Sequence, residues 1–177
     1  MATMILLPNG SNNVSSDWIT VGLGTSDPED ALDTDNGNTS YVKCNDNGEE
    51  MIIEFANPSV AEADIASIDS VRFLSSGKAT HRTDPAEVRI AYEVPSGNGS
   101  ELVSYDAHRT NYETINGTAR TTSDGSSAAW TYSNLEDLEM AVLKIGTIEV
   151  YLSYLAMEVT YTEAVSADNA TFFGSNF

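Results

Sequence analysis

The chain has 177 residues, a length that suits one domain with its own hydrophobic core. Hydrophobic residues make up 41% of the sequence, which is the composition of a folded chain and not of a disordered one. Eight Lys and Arg against 27 Asp and Glu give a formal net charge of −19, which argues against binding to nucleic acid or to anionic membranes. Such acidity keeps a protein soluble by charge repulsion, and it also fits a saline environment that screens the repulsion.

An apolar stretch, MILLP, lies close to the N terminus. It is too short for a membrane span, and no basic residue precedes it as in a secretory signal. We predict an N-terminal arm over residues 1–13, which packs on the body of the protein or on a neighbouring subunit. A C-terminal tail over residues 164–177 presents the same choice, because it is small and polar except for Phe172, Phe173 and Phe177.

Two short segments carry signals for the start of a helix. In SDPEDAL, Ser26 or Asp27 can cap a turn that has Pro28 at its beginning. In SNLEDLEM, Ser133 or Asn134 can cap a turn with acidic residues near its start. Both segments are short, so we predict single helical turns over strand ends.

The segment ALDTDNGNTSYVKC, residues 31–44, resembles a metal-binding loop at first sight. An EF-hand calcium loop needs oxygen ligands at positions one, three, five and twelve, with Gly at position six. With Asp33 first and Asp35 third, the fifth position is a glycine and the twelfth is Cys44, so this pattern fails. A looser oxygen cage of Asp30, Asp33, Asp35 and backbone carbonyls is the weaker alternative. We favour a turn at Asn36–Gly37 that leads into a strand.

Apolar and polar residues alternate at the period of a β-strand in several segments. EMIIEF places Met51, Ile53 and Phe55 on one face. Further alternating sets are Val71 with Phe73, and Val88 with Ile90, Tyr92 and Val94. The turn-rich sequences DNG, PSGNGS and SDGSS separate such segments. Short strands divided by such turns predict an all-β chain that folds as an antiparallel sandwich or barrel.

The last alternating segment, TIEVYLSYLAMEVTYTE over residues 147–163, is the longest. Its apolar residues have one parity up to Leu152 and the opposite parity from Leu155 onward. A change of parity in a strand indicates an extra residue on one side of the ladder. We therefore predict a β-bulge, or a crossing between layers, near Ser153–Tyr154.

Candidate catalytic residues are few. His81 and His108 are the two histidines, and both lie in polar, loop-like sequence without a Gly-x-Ser-x-Gly elbow nearby. The single cysteine, Cys44, stands among strand residues and is predicted to be a small buried apolar residue. The acidic residues are too numerous for any pair of carboxylates to be a specific signal. We predict that the chain is not an enzyme and that it needs no cofactor.

Two tryptophans, Trp18 and Trp130, stand beside polar residues. If exposed, they could stack on sugars as in binding modules, and if buried, they anchor the core. We favour burial.

The order of several segments resembles the jelly-roll virion proteins of tailed bacteriophages and related archaeal viruses. The resemblance covers about residues 14–163, and it rests on WITVG (18–22), ALDTDNGNTSYV (31–42), DIASIDSVRF (64–73), AEVRIAYE (86–93), AWTYSNLEDLEMAVL (129–143) and IEVYLSYLAMEVTYT (148–162). It implies a jelly-roll β-sandwich between the arm and the tail, with one or two short helical turns. It also implies a noncatalytic shell protein on a capsid or tail surface, of the decoration (cement) or tail-associated type.

Under this hypothesis the chain is a head decoration protein that bridges subunits of the major capsid protein and associates with itself, most simply as a homotrimer. The apolar residues of the two termini are then the subunit-docking residues: Met4, Ile5, Leu6, Leu7, Phe172, Phe173 and Phe177. The alternative is a carbohydrate-binding module or a tail adhesin on the same fold. It predicts an exposed platform of Trp18 or Trp130, or of tyrosines such as Tyr105 and Tyr112.

Overall fold

The computed structural model describes residues 1–22, 26–80, 86–93, 101–106, 111–123 and 128–165, with the backbone alone in 86–93 and 101–106. The strands, in chain order, are β1 (Ala2–Leu6), β2 (Pro8–Asn12), β3 (Trp18–Val21), β4 (Tyr41–Cys44), β5 (Glu50–Phe55), β6 (Ile65–Ala79), β7 (Ala86–Glu93), β8 (Glu101–Asp106), β9 (Glu113–Asn116), β10 (Glu139–Gly146) and β11 (Val150–Glu163). Two short helices, α1 (Pro28–Leu32) and α2 (Tyr132–Glu136), and a 3₁₀ turn at Glu62–Asp64 complete the described elements.

The strands form two antiparallel sheets. Sheet A has the order β3-β4-β11-β6-β9, with β1 also paired to β11, and sheet B has the order β2-β5-β10-β7-β8. Within them the pairs β4–β11, β5–β10, β6–β9 and β7–β8 are nested, as in one long hairpin wrapped into two layers. This arrangement is a jelly roll, so the predicted antiparallel β-sandwich is confirmed.

The core lies between the sheets and follows the predicted alternation. Met51, Ile53 and Phe55 are buried on β5, while the residues between them are half-buried. The predicted pair Val71 and Phe73 is fully buried on β6. Apolar side chains at every second position therefore fill the space between the layers.

The predicted bulge lies in β11. Leu152 pairs with Gly77 and Tyr154 pairs with Ser76, so Ser153 is the extra residue on the β11 side. Val150 and Leu152 before the bulge, and Leu155 and the alternate residues after it, are buried. The extra residue thus keeps one continuous apolar face on a strand whose sequence parity changes.

The N-terminal residues lie in the sandwich, although the sequence predicts an arm over residues 1–13. β1 pairs with β11 in sheet A, and β2 pairs with β5 in sheet B, so the chain crosses between the layers at Leu7. Met4 and Leu6 alternate inward and are buried, which explains why the apolar run packs on its own chain.

Both predicted helical turns are present, but one cap differs. Asp27 is the N-cap of α1 and Pro28 is its first residue, as predicted. The N-cap of α2 is Thr131 and not Ser133 or Asn134. The Thr131 hydroxyl accepts a hydrogen bond from the Asn134 amide at 3.2 Å, and the Asn134 side chain accepts one from the Thr131 amide at 2.9 Å. Because of this reciprocal capping box, α2 begins nearer to the N terminus than a cap at Ser133 or Asn134 would place it. No helix in the described ranges is long and apolar enough to cross a membrane.

A buried lysine ties the two sheets together at one end. Lys144 of β10 is 0% exposed, and its ammonium donates to the Asn45 carbonyl at 2.8 Å and to the Gly146 carbonyl. Burial lowers the pKa of Lys144. Because Asn45 lies in the connection from β4 in sheet A to β5 in sheet B, the lysine fixes this crossover to the end of β10.

We expect Lys144→Met to lower the free energy of unfolding by about 1–3 kcal/mol, because two carbonyls lose a charged donor. Urea denaturation measures the loss. Lys43→Met is the matched control, since it removes the same charge from a partly exposed ion pair with Glu149, whose N–O distance is 2.9 Å. Its expected cost is about 0–1 kcal/mol. Equal losses in the two variants would contradict a structural role for Lys144.

Candidate functional site

Three tyrosines and a lysine from four parts of the chain gather on the outer face of sheet A. We call this group the tyrosine cluster: Tyr41 of β4, Tyr151 of β11, Lys78 of β6, and Tyr112, which precedes β9. In the ladder, Tyr151 lies opposite Lys43 on one side and opposite Lys78 on the other. Strand pairing therefore sets the spacing of the cluster.

The alternation of the strands turns the rings outward. On β4, Val42 is buried and the preceding Tyr41 faces away from the core. On β11, Val150 and Leu152 are buried, and Tyr151 between them faces the same way as Tyr41. The two ring centroids are 5.3 Å apart with an interplanar angle of 56°. This distance and tilt are those of an attractive aromatic pair.

Lys78 joins the third tyrosine to this pair. Its Nζ lies 4.5 Å from the ring centroid of Tyr112 and 5.0 Å from that of Tyr151. Both distances are within the range of about 6 Å over which a cation is attracted to a ring face. The ammonium also donates to Asn38 Oδ1 at 2.5 Å. One cation thus holds two rings in a fixed relation.

The segment of residues 31–44 lies against the tyrosine cluster. Gly37 has a φ of +57°, and the Thr39 amide donates to the Asn36 carbonyl at 3.1 Å, which confirms the predicted Asn36–Gly37 turn. A Cβ at Gly37 would contact the Tyr112 ring at 3.9 Å. Asp35 accepts a hydrogen bond of 2.9 Å from the hydroxyl of Ser153, the bulged residue of β11. The turn is therefore anchored beside the tyrosines.

A charged pair sits next to Tyr151. The Lys43 ammonium binds Glu149 Oε1 at 2.9 Å, and the Tyr151 hydroxyl donates to the other carboxylate oxygen. Burial opposes ionisation of Glu149, but the hydrogen bonds from Tyr151 and Lys43 outweigh it and hold the pKa of Glu149 below its usual value. The hydrogen bond to Glu149 raises the pKa of Lys43, so both partners of the pair are charged at neutral pH.

Two tyrosines of the cluster, Tyr112 and Tyr151, have raised pKa values. Burial, together with the hydrogen bond to Glu149, raises the pKa of Tyr151 to about 12. Burial is also the main cause that raises the pKa values of Tyr112 and Tyr154. The cluster thus presents neutral phenol groups beside a charged amine.

A cavity of about 320 Å³ opens at the cluster and is lined by Tyr41, Tyr151, Lys78, Ala79 and Thr80. Two tyrosines, a threonine and a lysine thus border one open space. Such a combination can hold a ligand that presents an apolar face and several polar groups at once.

Asp33 and Asp35, the two calcium candidates, make different structural contacts. Asp33 is the C-cap residue of α1, and Asp35 binds Ser153 as described above. Among the residues that the structure describes, no group of three or more His, Cys, Asp and Glu is placed to hold a metal ion. The oxygen cage therefore has no geometric support in the described ranges.

The predicted docking residues are divided by the fold. Met4 and Leu6 are buried in the core of this chain. Ile5 and Leu7 are 43% and 38% exposed and alternate with them. The three phenylalanines at positions 172, 173 and 177 lie outside the described residues, and docking by the termini stays a prediction.

The remaining candidate residues are either buried in the core or outside the described part of the chain. Trp18 and Trp130 are 5% and 4% exposed, so the favoured burial is confirmed and neither ring forms a platform. Cys44 is buried, as predicted. The histidines at positions 81 and 108, and the side chain of Tyr105, lie outside the described part of the chain.

Comparison with known proteins gives likeness in fold only. No protein-family model matches the chain, and no curated protein matches it in sequence. Among solved structures, the C-terminal CBM6 of LamC, a marine laminarinase from Zobellia galactanivorans, has 11% identity and a TM-score of 0.46, over 90% of this chain and 100% of that chain. The xylan-binding module CBM15 has 10% identity and a TM-score of 0.46, over 92% of this chain and 100% of that chain. A mutant of the family 29 carbohydrate binding module CBM29-2 has 10% identity and a TM-score of 0.46, over 89% and 91%.

All three are carbohydrate-binding modules. At these identities and TM-scores, the likenesses assign neither a family nor a ligand to this chain. The resemblance to virion proteins finds no support in these comparisons.

Sequence reasoning named Tyr112 but not Tyr41, Tyr151 or Lys78. The available signal was an aromatic residue at the outward parity of a strand, where a polar residue is the norm. Tyr41 and Tyr151 both have that parity. Their meeting depends on the pairing of β4 with β11, which joins residues about one hundred positions apart and has no local sequence signature.

The raised pKa of Tyr151 has a measurable effect on stability. In the unfolded chain a tyrosine ionises near pH 10, whereas Tyr151 in the folded chain ionises near pH 12. The folded state therefore retains a proton that the unfolded state loses, and the free energy of unfolding falls as the pH rises from 10 to 12. Each tyrosine whose pKa is raised on folding contributes at most about 1.4 kcal/mol per pH unit to this decrease in the free energy of unfolding.

We expect Tyr151→Phe to flatten the fall, as measured by urea denaturation at a series of pH values. The hydroxyl's hydrogen bond adds an offset that does not depend on pH in this range, so the slope isolates the titration. Parallel curves for the wild type and the variant would contradict the raised pKa.

Proposed function

We propose that the chain is a noncatalytic carbohydrate-binding module and that the tyrosine cluster is its sugar-binding site. The observation that carries the proposal is a cavity on the outer face of sheet A that is lined by Tyr41, Tyr151 and Lys78, with the ring of Tyr112 held beside Lys78. The C–H face of a pyranose packs on aromatic rings, while its hydroxyls need donors and acceptors nearby.

The cluster supplies both kinds of contact. Tyr41 and Tyr151 offer ring surface that is half-buried on a firmly paired part of sheet A. Lys78 and Thr80 line the same cavity and bring an ammonium and a hydroxyl. Because strands fix the rings and Lys78 restrains them, little side-chain freedom is lost when a ligand binds.

The site differs from the one that the sequence suggests for this function. The tryptophans are core residues, so the platform consists of tyrosines, one of which, Tyr112, belongs to the set named from the sequence. The capsid-decoration hypothesis has less support among the described residues. Only Ile5 and Leu7 of its described docking residues reach the surface, and two such side chains make a small part of a stable interface.

The proposal predicts binding to an oligosaccharide on a broad glycan array, followed by a loss of affinity in a cluster variant. For the oligosaccharide bound most tightly, Tyr151→Ala is expected to weaken binding about tenfold or more, because a stacked ring contributes more than about 1 kcal/mol. Isothermal titration calorimetry measures the change.

Tyr132→Ala is the matched control. Tyr132 is also half-buried, and its hydroxyl donates to the Val60 carbonyl at 3.0 Å, but it lies on α2, away from the cluster. Circular dichroism of both variants establishes that they are folded. An array without any bound glycan, or equal losses in the two variants, would overturn the proposed function.

A further inference from the structure

We propose that the sugar bound at the tyrosine cluster is acidic and that its carboxylate or sulfate ester pairs with the Lys78 ammonium. This inference rests on the proposed function, since it names the class of sugar that the same site selects.

Positive charge is scarce in this chain, and two of its three lysines lie at the tyrosine cluster. The chain has eight Lys and Arg residues against 27 Asp and Glu, and its three lysines are Lys43, Lys78 and Lys144. Lys144 is buried against backbone carbonyls. The other two flank Tyr151 directly in the ladder of sheet A. Both accessible lysines therefore lie in one lateral row across the site.

The two lysines of this row differ in their partners. Lys43 is neutralised by Glu149 at 2.9 Å. Within the described residues, the ion pairs are Lys43–Glu149 and Arg72–Glu158, and Lys78 belongs to neither. Its contacts are two ring faces and the neutral side-chain oxygen of Asn38. The charge of Lys78 thus lacks an anionic partner among the described residues, while that of Lys43 has one.

Two carboxylates near the cluster, those of Glu149 and Asp35, bind groups other than Lys78. Glu149 binds Lys43 and Tyr151, and Asp35 accepts the hydroxyl of Ser153. An ammonium has three N–H donors, and Lys78 uses one of them on Asn38. Lys78 also lines the cavity, so a sugar stacked on Tyr151 lies beside its remaining donors. A charge-assisted hydrogen bond there selects an anionic group over a neutral hydroxyl.

The net charge of −19 limits which acidic ligands fit. Long-range repulsion acts against a densely charged polyanion, but its range is only about 8 Å at 0.15 M salt. A saccharide with a single acidic residue therefore gains the local contact with Lys78 without accumulating repulsion over a long chain.

The test compares charged and neutral versions of the same oligosaccharides at physiological ionic strength. The probes are oligosaccharides with one uronic acid, their carboxyl-reduced counterparts, singly sulfated oligosaccharides and their desulfated counterparts. Calorimetry with the full chain is expected to show about tenfold or tighter binding of one acidic class over its neutral counterpart. Lys78→Gln is expected to weaken binding of the acidic sugar more than binding of its neutral counterpart, so that the preference is lost.

Arg72→Gln is the matched control for charge. It removes the same unit charge from the same strand, about six residues away, where the side chain pairs with Glu158 at 2.7 Å. It is expected to leave the preference unchanged. Equal losses in Lys78→Gln and Arg72→Gln would overturn the inference, because they would show a general charge effect.

The outcomes separate the two proposals. If neutral and acidic sugars bind equally and Lys78→Gln changes neither, the inference fails while the proposed function stands. If none of the oligosaccharides binds, the proposed function fails and the inference fails with it. If only the uronic acid oligosaccharides bind more tightly than their neutral counterparts, the anionic group is a carboxylate. If only the sulfated oligosaccharides do, it is a sulfate ester.

Discussion

The pairing of β11 with β6 along most of both strands is the interaction on which the remaining structure depends. β11 also pairs with β4 near its beginning and with β1 near its end, so it is the central strand of sheet A. The bulge at Ser153 keeps apolar residues on the inner face on both sides of that point. Without it, every side chain beyond the bulge would change faces, and the core would lose Leu155, Met157 and Val159.

The same bulge positions the candidate site. It lies two residues beyond Tyr151, and its extra residue, Ser153, binds Asp35 and holds the segment that contains Gly37 beside Tyr112. The core and the tyrosine cluster therefore share one backbone irregularity. Tyr151 lies opposite Lys78 because the register on the N-terminal side of the bulge places it there.

Much of the fold could be predicted from local patterns. The alternation in β5, the change of parity in β11 and the turn at Asn36–Gly37 each follow from a few adjacent residues, and the structure confirms all three. The division of the N-terminal residues between two sheets could not be predicted. MILLP has the same apolar pattern whether it packs on its own chain or on another chain. It packs on its own chain because β11 and β5 each have an edge with which β1 and β2 can pair, and these edges are not visible in the local sequence.

The site was less predictable than the fold, because its members come from separate elements. Tyr41 and Tyr151 are more than one hundred positions apart, and Lys78 meets Tyr112 through the pairing of β6 with β9. Single-residue reasoning favours tryptophan as a sugar-stacking residue, but Trp18 and Trp130 are large enough to serve as core anchors and are buried. Long-range register, not residue type, determines which aromatic rings reach the surface.

The burial of Lys144 has a practical consequence for handling the protein. Reagents that modify primary amines reach solvent-accessible ammonium groups, and Lys144 is 0% exposed. Of the three lysines, this leaves Lys43 and Lys78, and both border the same rings. Coupling of a dye or a solid support to lysine side chains would therefore take place preferentially at the tyrosine cluster. Immobilisation by such chemistry would cover the tyrosine cluster, whereas coupling through the abundant carboxylates would spread attachment over the protein.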